Sequence, residues 1–344
     1  MDYLEMPKLD LHCHLDGSIN LTLAQELLRE RGEEVTLPEL RERMQVPEHC
    51  TSLEEYLKTF ALPLALLQTE DSLRRAAFQL AMDCAEERIV YLETRFAPMC
   101  CREEGLTAER AIRAVCEGLA RAQAKLASEG RYFRAGVIVC AMRHMPAEEN
   151  SAAFRAAREQ LGCGVVGVDL AGAEAAYPNA MFRDLFAEAV RLGLPITIHS
   201  GETGSRDNIR EAVAMGARRI GHGTAMRGDH DLEQLLAKQR IGVEQCPTSN
   251  LQTRAIPGIS ACPVREYLRA GVPVTLNTDN RTVSGITLTH EWREVDRAFS
   301  LTGEERDALL RNAIETSFAD DDVKEELARI CLGEKLAENF RNVR

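Results

Sequence analysis

Eight short apolar segments, each followed by a segment with helical periodicity, run along almost the whole chain and limit its fold more than any other feature. Strands rich in Val, Ile and Leu that alternate with helices form a parallel sheet covered by helices. Eight such units predict one α/β domain over residues 1–344, a single (β/α)8 barrel of the TIM type. Active sites of such barrels lie at the carboxyl ends of the strands.

The strand segments can be placed along the sequence. The first begins at Lys8 and runs into His12 and His14, and the others are Ile89–Phe96, Arg134–Cys140, Val165–Leu170, Pro195–His199, Arg219–His222, Ile241–Cys246 and Val272–Asn277. Helices are predicted at about 107–128, 147–160, 179–192, 207–215, 229–238 and 263–270. A doubly wound open sheet is the alternative, but no Gly-x-Gly-x-x-Gly turn follows the first strand.

Two helical regions are additional to the barrel units. The first is an insertion at about residues 20–87, with one helix from Leu21 to Arg31 and another that opens at Thr51, in capping-box spacing with Glu54. Long additions at the working face of a barrel often form pocket walls, so we expect this one near the pocket. The second region, at about 285–344, is predicted to hold C-terminal helices.

Composition narrows the function classes. There are 42 Lys and Arg against 54 Asp and Glu, a net charge of −12, which argues against nucleic acid or an anionic membrane as partner. No apolar run reaches the ~18 residues of a membrane span, and no signal peptide is visible. The eleven cysteines are scattered without a Cys-x-x-Cys pair, which predicts buried free thiols in a cytoplasmic protein. A small-molecule partner is expected, and the oligomeric state stays open.

Four of the eight histidines fall at predicted carboxyl ends of strands. His12 and His14 end the first strand, where an i, i+2 spacing places both rings on one face, and His199 and His222 end the fifth and sixth. Asp279 ends the eighth strand, which neighbours the first in a closed barrel. Imidazoles and a carboxylate that converge on one mouth suit a catalytic Zn²⁺ or a similar divalent ion. The remaining histidines are assigned to loops or helices without a function: His49, His144, His230 and His290.

Glu202 follows His199 by three residues, just beyond the strand. A carboxyl in a closed pocket resists ionisation, so it can stay protonated and act as a general acid. Without the histidine cluster, the same residue would be read as a solvated glutamate in the first turn of a helix.

Seven motifs together resemble the adenosine deaminase family of the metal-dependent hydrolase superfamily. They stand in the family's order from about residue 7 to the last strand and are His12-Cys-His-Leu-Asp-Gly, Tyr91-Leu-Glu-Thr-Arg-Phe-Ala-Pro98, Asp169-Leu-Ala-Gly172, His199-Ser-Gly-Glu202, Gly221-His-Gly223, Cys246-Pro-Thr-Ser-Asn250 and Asn277-Thr-Asp279. The resemblance implies hydrolytic deamination of adenosine or 2′-deoxyadenosine to inosine or 2′-deoxyinosine and ammonia.

The resemblance also implies roles for several of the matched residues. One zinc ion would be held by His12, His14, His199 and Asp279. Glu202 would protonate purine N1, His222 would orient and stabilise the attacking hydroxide, and Asp279 would help to remove the water's proton. On the substrate side, Asp16 would accept a ribose hydroxyl, the Gly172 backbone would contact N3, and His14 would also face the substrate.

Two absences narrow the chemistry. The fourth strand, Val165–Leu170, has no lysine of the kind that bridges two metals in related hydrolases, so one metal is favoured. The Pro-Cys-x-x-Cys pair of the other zinc deaminase scaffold is missing. Glu93 and Arg95 are expected to form a buried ion pair or hydrogen-bond network in the barrel floor, and Ser249 a supporting contact.

Asn280 departs from the family pattern, which commonly has an aspartate that hydrogen-bonds purine N7. N7 accepts, so an aspartate must be protonated there, whereas an amide donates without a pKa shift. The change is compatible with purine binding but leaves other substrates open: adenine, an adenylate derivative or aminodeoxyfutalosine. A metallohydrolase of amides or esters and a catalytically silent nucleoside-binding protein are further alternatives.

Overall fold

The computed structural model describes residues 1–47 and 50–334, which form eight strands and fifteen α-helices. The strands are β1 Lys8–His14, β2 Ile89–Phe96, β3 Arg134–Met142, β4 Val165–Ala171, β5 Thr197–Ser200, β6 Arg219–His222, β7 Gly242–Gln245 and β8 Val274–Leu276. The helices are α1 Leu21–Glu30, α2 Leu37–Met44, α3 Leu53–Lys58, α4 Ala61–Leu66, α5 Glu70–Glu86, α6 Ala108–Ser128, α7 Ala147–Glu159, α8 Arg183–Arg191, α9 Arg206–Ala214, α10 His230–Gln239, α11 Pro247–Gln252, α12 Val264–Arg269, α13 Leu288–Phe299, α14 Gly303–Thr316 and α15 Asp321–Leu332.

All eight strands run parallel and follow one another in chain order. β1 to β4 form one four-stranded sheet and β5 to β8 another. Single parallel bridges join the two sheets at both seams, Val168 to Ile196 and Cys13 to Asp279. At the second seam the His14 N–H also donates to the Asp279 carbonyl oxygen at 2.6 Å. The predicted (β/α)8 fold is confirmed, and the open doubly wound alternative is wrong.

Helix starts follow capping side chains that are visible in the sequence. Thr107, the predicted start of one helix, is the N-cap of α6 and accepts a hydrogen bond from a backbone amide of the first turn. Such caps are worth about 0.5–2 kcal/mol. The predicted capping box between Thr51 and Glu54 is wrong by one residue. Ser52 is the N-cap of α3 and accepts from the Glu55 amide, because the Thr51 amide and hydroxyl are turned to the Glu55 carboxylate.

The two additional helical regions are present where the sequence indicated. Helices α1 to α5 fill the insertion between β1 and β2, and α13 to α15 follow β8. Residues 335–344 of the predicted C-terminal region, and His49, lie outside the described residues. The assignment of residues 1–344 to one domain stays a prediction.

Burial matches the barrel architecture. Every residue of β2 is buried, as in a strand covered on both faces. All eleven cysteines are free, as predicted, and eight of them are buried. None of the helices in the described ranges is long and apolar enough to cross a membrane.

Candidate active site

The four predicted metal ligands meet at the carboxyl ends of the strands. His12 and His14 come from β1, His199 from β5, and Asp279 follows β8; one ligand atom from each lies within 4.8 Å of the others. His12 Nε2 is 3.3 Å from Asp279 Oδ1, and His14 Nε2 is 3.2 Å from His199 Nε2. Residues far apart in sequence are therefore brought together by the barrel alone.

Carboxylates behind two of the imidazoles set their orientation. The His12 Nδ1 donates to Glu244 Oε2 at 2.7 Å, and His199 Nδ1 lies 2.9 Å from Asp169 Oδ2. A ligand imidazole held through one nitrogen presents the other to the metal. His12 Nε2 is fully buried and has no hydrogen-bond partner among the described residues. This orphaned nitrogen, beside two other imidazoles and a carboxylate, fits a divalent cation.

The protonation states suit metal binding as well. Burial lowers the pKa of His199 to about 4 and that of His14 well below its usual range, so both rings are neutral. Burial alone would raise the pKa of Asp279, but the adjacent His12 and the other neighbouring imidazoles hold it well below its usual value. Three imidazole nitrogens and one carboxylate oxygen form a donor set typical of Zn²⁺.

A buried ion network lies beneath these ligands. Arg95 donates to Asp169 Oδ2 at 2.8 Å and to Glu244 Oε2 at 3.0 Å. Arg219 donates to Glu244 Oε1 and to Glu93 Oε2, both at 2.5 Å. All five side chains are fully buried. Glu93 and Arg95 thus take part in a network, as expected, but each pairs with charges from other strands.

Two residues of the site have a left-handed backbone. His222 has a φ of 63° and Asp279 a φ of 62°, a region that non-glycine residues rarely adopt. Such strain costs about 1–3 kcal/mol and persists only where surrounding contacts enforce it. For Asp279 the enforcing contact is the β8–β1 seam, where its amide donates to the His12 carbonyl at 2.7 Å.

Helix α11 supports both strained residues from one side. Ser249 Oγ donates to Asp279 Oδ2 at 2.5 Å, which is the supporting contact expected for Ser249. The His222 Nδ1 donates to Asn250 Oδ1 at 2.7 Å, so His222 Nε2 faces the site, 3.7 Å from Glu202 Oε2. The sequence alone did not assign a role to Asn250, Asp169 or Glu244. For Asp169 and Glu244 it held one usable signal, an acidic residue inside an otherwise apolar strand.

Two carboxyls of the site have raised pKa values. Burial, followed by the charges of Asp279 and Glu174, raises the pKa of Glu202, although His222 opposes the shift. The Glu202 side chain is 9% exposed. Burial raises the pKa of Asp16 to about 6. Glu202 therefore combines a shielded position with a preference for its protonated form, as a general acid requires.

These groups open into a cavity of about 290 Å³. The predicted substrate-contact residues His14, Asp16, Gly172 and Asn280 all line it, as do Glu202, His222 and Asp279. One wall comes from the insertion and consists of Leu53, Tyr56, Leu57, Phe60 and Leu64. The insertion was expected near the pocket. His144, which had no assigned function, also lines the cavity, whereas His230 and His290 lie on α10 and α13.

Asn280 is pressed against the first turn after β1. Its side chain is buried, and a Cβ at Gly17 would come within 1.8 Å of Asn280 Oδ1, so only glycine fits at residue 17. Among the described residues Asn280 Oδ1 has no hydrogen-bond partner. The amide is therefore fixed in position at the cavity wall.

Comparison with known proteins gives consistent matches. The profile of the family described as adenosine deaminase matches residues 7–331. A protein named adenosine deaminase from Vibrio atlanticus is 39% identical over 95% of this chain and 98% of its own length. The crystal structure of an Arabidopsis N6-mAMP deaminase is 28% identical, with a TM-score of 0.85 over 96% of this chain and 99% of its own. An adenine deaminase from Arthrobacter aurescens is 25% identical, with a TM-score of 0.84 over 95% and 98% of the two chains.

Proposed function

Because the chain belongs to the adenosine deaminase family, we propose that it hydrolyses the bond between C6 and the amino group of adenosine and 2′-deoxyadenosine. The products are inosine or 2′-deoxyinosine and ammonia. The observation that carries the proposal is the position of Glu202, a shielded carboxyl with a raised pKa, in the same cavity as the three-histidine, one-aspartate cluster.

We propose one zinc ion per chain, held by His12, His14, His199 and Asp279. The orphaned His12 Nε2 and the neutral imidazoles support this assignment. A zinc ion held there would make water a stronger acid, lowering its pKa to about 7, and so ease the loss of its proton at neutral pH.

The chain's own side chains then carry the protons. Glu202 gives its proton to N1 of the ring while oxygen adds to C6. Asp279 Oδ2 or Oδ1 takes a proton from the attacking water, and His222 Nε2 stabilises the attacking oxygen, since its Nδ1 is held by Asn250. The C6–N bond then breaks, and the amino group leaves as ammonia with the proton that the water gave up. The remaining hydroxyl proton passes to Glu202, which restores the acid and leaves a carbonyl at C6 of the product.

The cavity lining favours a nucleoside over the other 6-aminopurine compounds. Among the described residues, no lysine or arginine lines the cavity, so a phosphate of an adenylate derivative would find no cationic partner. Asp16 lies on the wall, 3.8 Å from His14 Nδ1, and offers an acceptor for a ribose hydroxyl that free adenine lacks. Gly172 and Asn280 are assigned to N3 and N7 of the ring.

A substrate panel tests the proposal directly. Purified protein with measured zinc content is given adenosine, 2′-deoxyadenosine, adenine, AMP and aminodeoxyfutalosine, and both ammonia and the deaminated product are measured. We expect the highest kcat/KM with the two nucleosides. A preference for adenine or AMP would move the substrate assignment to that compound, and the absence of ammonia with every substrate would end the deaminase assignment.

A further inference from the structure

Glu174 is a buried carboxylate just beyond β4 that does not line the cavity, and its side chain is only 2% exposed. Its Oε1 accepts hydrogen bonds from the Gly201 amide at 2.6 Å and from Asn208 Nδ2 at 2.9 Å. Its Oε2 accepts from the Thr203 amide at 3.0 Å and from Thr203 Oγ1 at 3.1 Å. All four partners are donors, which matches an ionised carboxylate that acts only as an acceptor.

The two backbone amides that Glu174 holds are those on either side of Glu202. The same turn is fixed from the opposite side, because the Gly201 carbonyl accepts from Thr224 Oγ1 at 2.8 Å and from the Ala225 amide at 3.0 Å. The backbone that carries Glu202 is therefore clamped between the β4 and β6 loops.

The turn itself has little freedom to compensate for a lost clamp. Gly201 has a φ of 77°, and a Cβ there would lie 2.5 Å from Ile209 Cδ1. Any other residue at this position would be strained, so the sharp turn after β5 requires glycine. A turn of this shape needs external hydrogen bonds to hold one orientation.

We propose that Glu174 is the positioning residue of the deamination: it holds the turn of residues 201–203 so that the Glu202 carboxyl points at the substrate ring. The inference rests on the proposed function, in which Glu202 protonates N1. Glu174 acts through Glu202 alone and exchanges no proton with the substrate. Its negative charge also favours the protonated form of Glu202, because it raises the pKa of that carboxyl together with burial and Asp279.

Two substitutions separate position from charge. Glu174→Gln puts an amide NH₂ where one acceptor oxygen stood, so it faces backbone donors and loses hydrogen bonds on one side. Glu174→Asp keeps the charge but draws the carboxylate back by about 1.5 Å, too far to hold both amides. Glu233→Gln is the matched control: Glu233 lies on the outer helix α10, is also buried, at 3% exposure, and accepts from the Gly228 amide.

We expect both Glu174 variants to lose about 10- to 100-fold in kcat with adenosine, because a displacement of about 1 Å in a reacting group has effects of that size. KM should change by less than about threefold, since the lost interaction acts in the transition state. Zinc content should equal that of the wild type, and Glu233→Gln should keep wild-type kcat.

A double variant provides the decisive readout. If Glu174 acts only through Glu202, Glu174→Gln costs less than about twofold in kcat when Glu202 is already glutamine. A full 10-fold loss in that background overturns the inference, as does wild-type kcat in folded Glu174→Asp or a loss of zinc that accounts for the lost activity. If Glu174→Gln does not fold, Glu174→Asp and its double variant with Glu202→Gln decide. A wild-type protein that deaminates no substrate of the panel would end the proposed function instead, so the two failures are distinguishable.

Discussion

Ionisable side chains are paired differently at the mouth of the barrel, where the candidate metal ligands lie, and at its floor, where the buried ion network lies. At the floor, Arg95 and Arg219 neutralise Glu93, Glu244 and Asp169 with hydrogen bonds of 2.5–3.0 Å. At the mouth, imidazoles and a carboxylate crowd together, several polar atoms, among them His12 Nε2 and Asn280 Oδ1, have no hydrogen-bond partner among the described residues, and two residues have strained backbones. The carboxylates of the floor are paired with arginines of the chain itself, whereas the mouth leaves ligand atoms available for a metal or a substrate.

Two carboxylates belong to both layers. Asp169 and Glu244 accept from Arg95 below and face His199 and His12 above. Each therefore fixes the ring of a ligand histidine while its own charge is balanced by the floor. Paired charges in the floor therefore fix the positions of the ligand side chains. The unpaired atoms at the mouth are the ones available to bind a metal or a substrate.

The largest expected effect concerns a mouth residue. Glu202→Gln should reduce kcat with adenosine by about 10²- to 10⁴-fold, the usual contribution of a general acid. The melting temperature should stay equal or rise, because a buried carboxyl is replaced by an uncharged group of the same shape. Zinc analysis and thermal unfolding accompany the kinetics. Full turnover in Glu202→Gln would remove Glu202 as the acid.

A substitution in the buried ion network of the floor should lower stability strongly and activity only moderately. Arg219→Met leaves Glu93 and Glu244 buried without one of their partners, which should lower the free energy of unfolding by about 3–5 kcal/mol. The folded fraction should keep kcat within about tenfold. The control is Arg155→Met, which breaks an exposed pair with Glu188 and should cost no more than about 1 kcal/mol. Denaturant unfolding measures both, and equal effects in the two variants would refute the distinction between the layers.

A contact one layer behind the mouth should have an intermediate effect. Ser249→Ala removes the hydroxyl that donates to Asp279 Oδ2. Loss of such an outer partner of a metal ligand typically costs about 10- to 100-fold in metal affinity or activity. Zinc titration and kcat at saturating zinc separate these two losses. Unchanged zinc affinity together with unchanged kcat would show that Asp279 is held by the seam alone.

The last prediction concerns stability alone and Glu291, which supports α11 by accepting from the Thr248 amide at 3.1 Å. Burial raises the pKa of Glu291 to about 8 from an ordinary 4.5. Between these values the folded chain keeps a proton that the unfolded chain has lost, so this group's contribution to stability falls as pH rises from about 4.5 to 8. Glu291→Gln cannot ionise and should become more stable relative to the wild type as pH rises through this window. Denaturant unfolding at pH 5, 7 and 9 checks this, and a constant difference would contradict it.

The sequence predicted the barrel because its information is local and repeated. Strand β6 was placed at its observed bounds, Arg219–His222, and the four ligands lie together because the carboxyl ends of parallel strands share one face. Helix α11 was missed, since its six residues are too short to show periodicity and it is stabilised by tertiary contacts, among them Glu291. Propensity alone cannot reveal such a helix.

Hydrogen bonds from side chains to backbone atoms could not be predicted from the sequence either. Glu174 bonds amides 27 and 29 residues further along, and amides carry no residue identity. The partners of Glu93 and Arg95 had the same difficulty: a buried ion pair or network was expected, but which charges from other strands meet them depends on strand register. The catalytic and metal roles of the site residues remain predictions that the experiments above address.

The seam between β8 and β1 has a consequence for the making of the protein. His12 and His14 are synthesised with β1, whereas Asp279 is added only after β8. The proposed ligand set is therefore complete only when the last strand closes against the first. A nascent, truncated or misassembled chain can offer at most part of the set, so tight loading of the proposed zinc ion would mark a barrel that has finished folding.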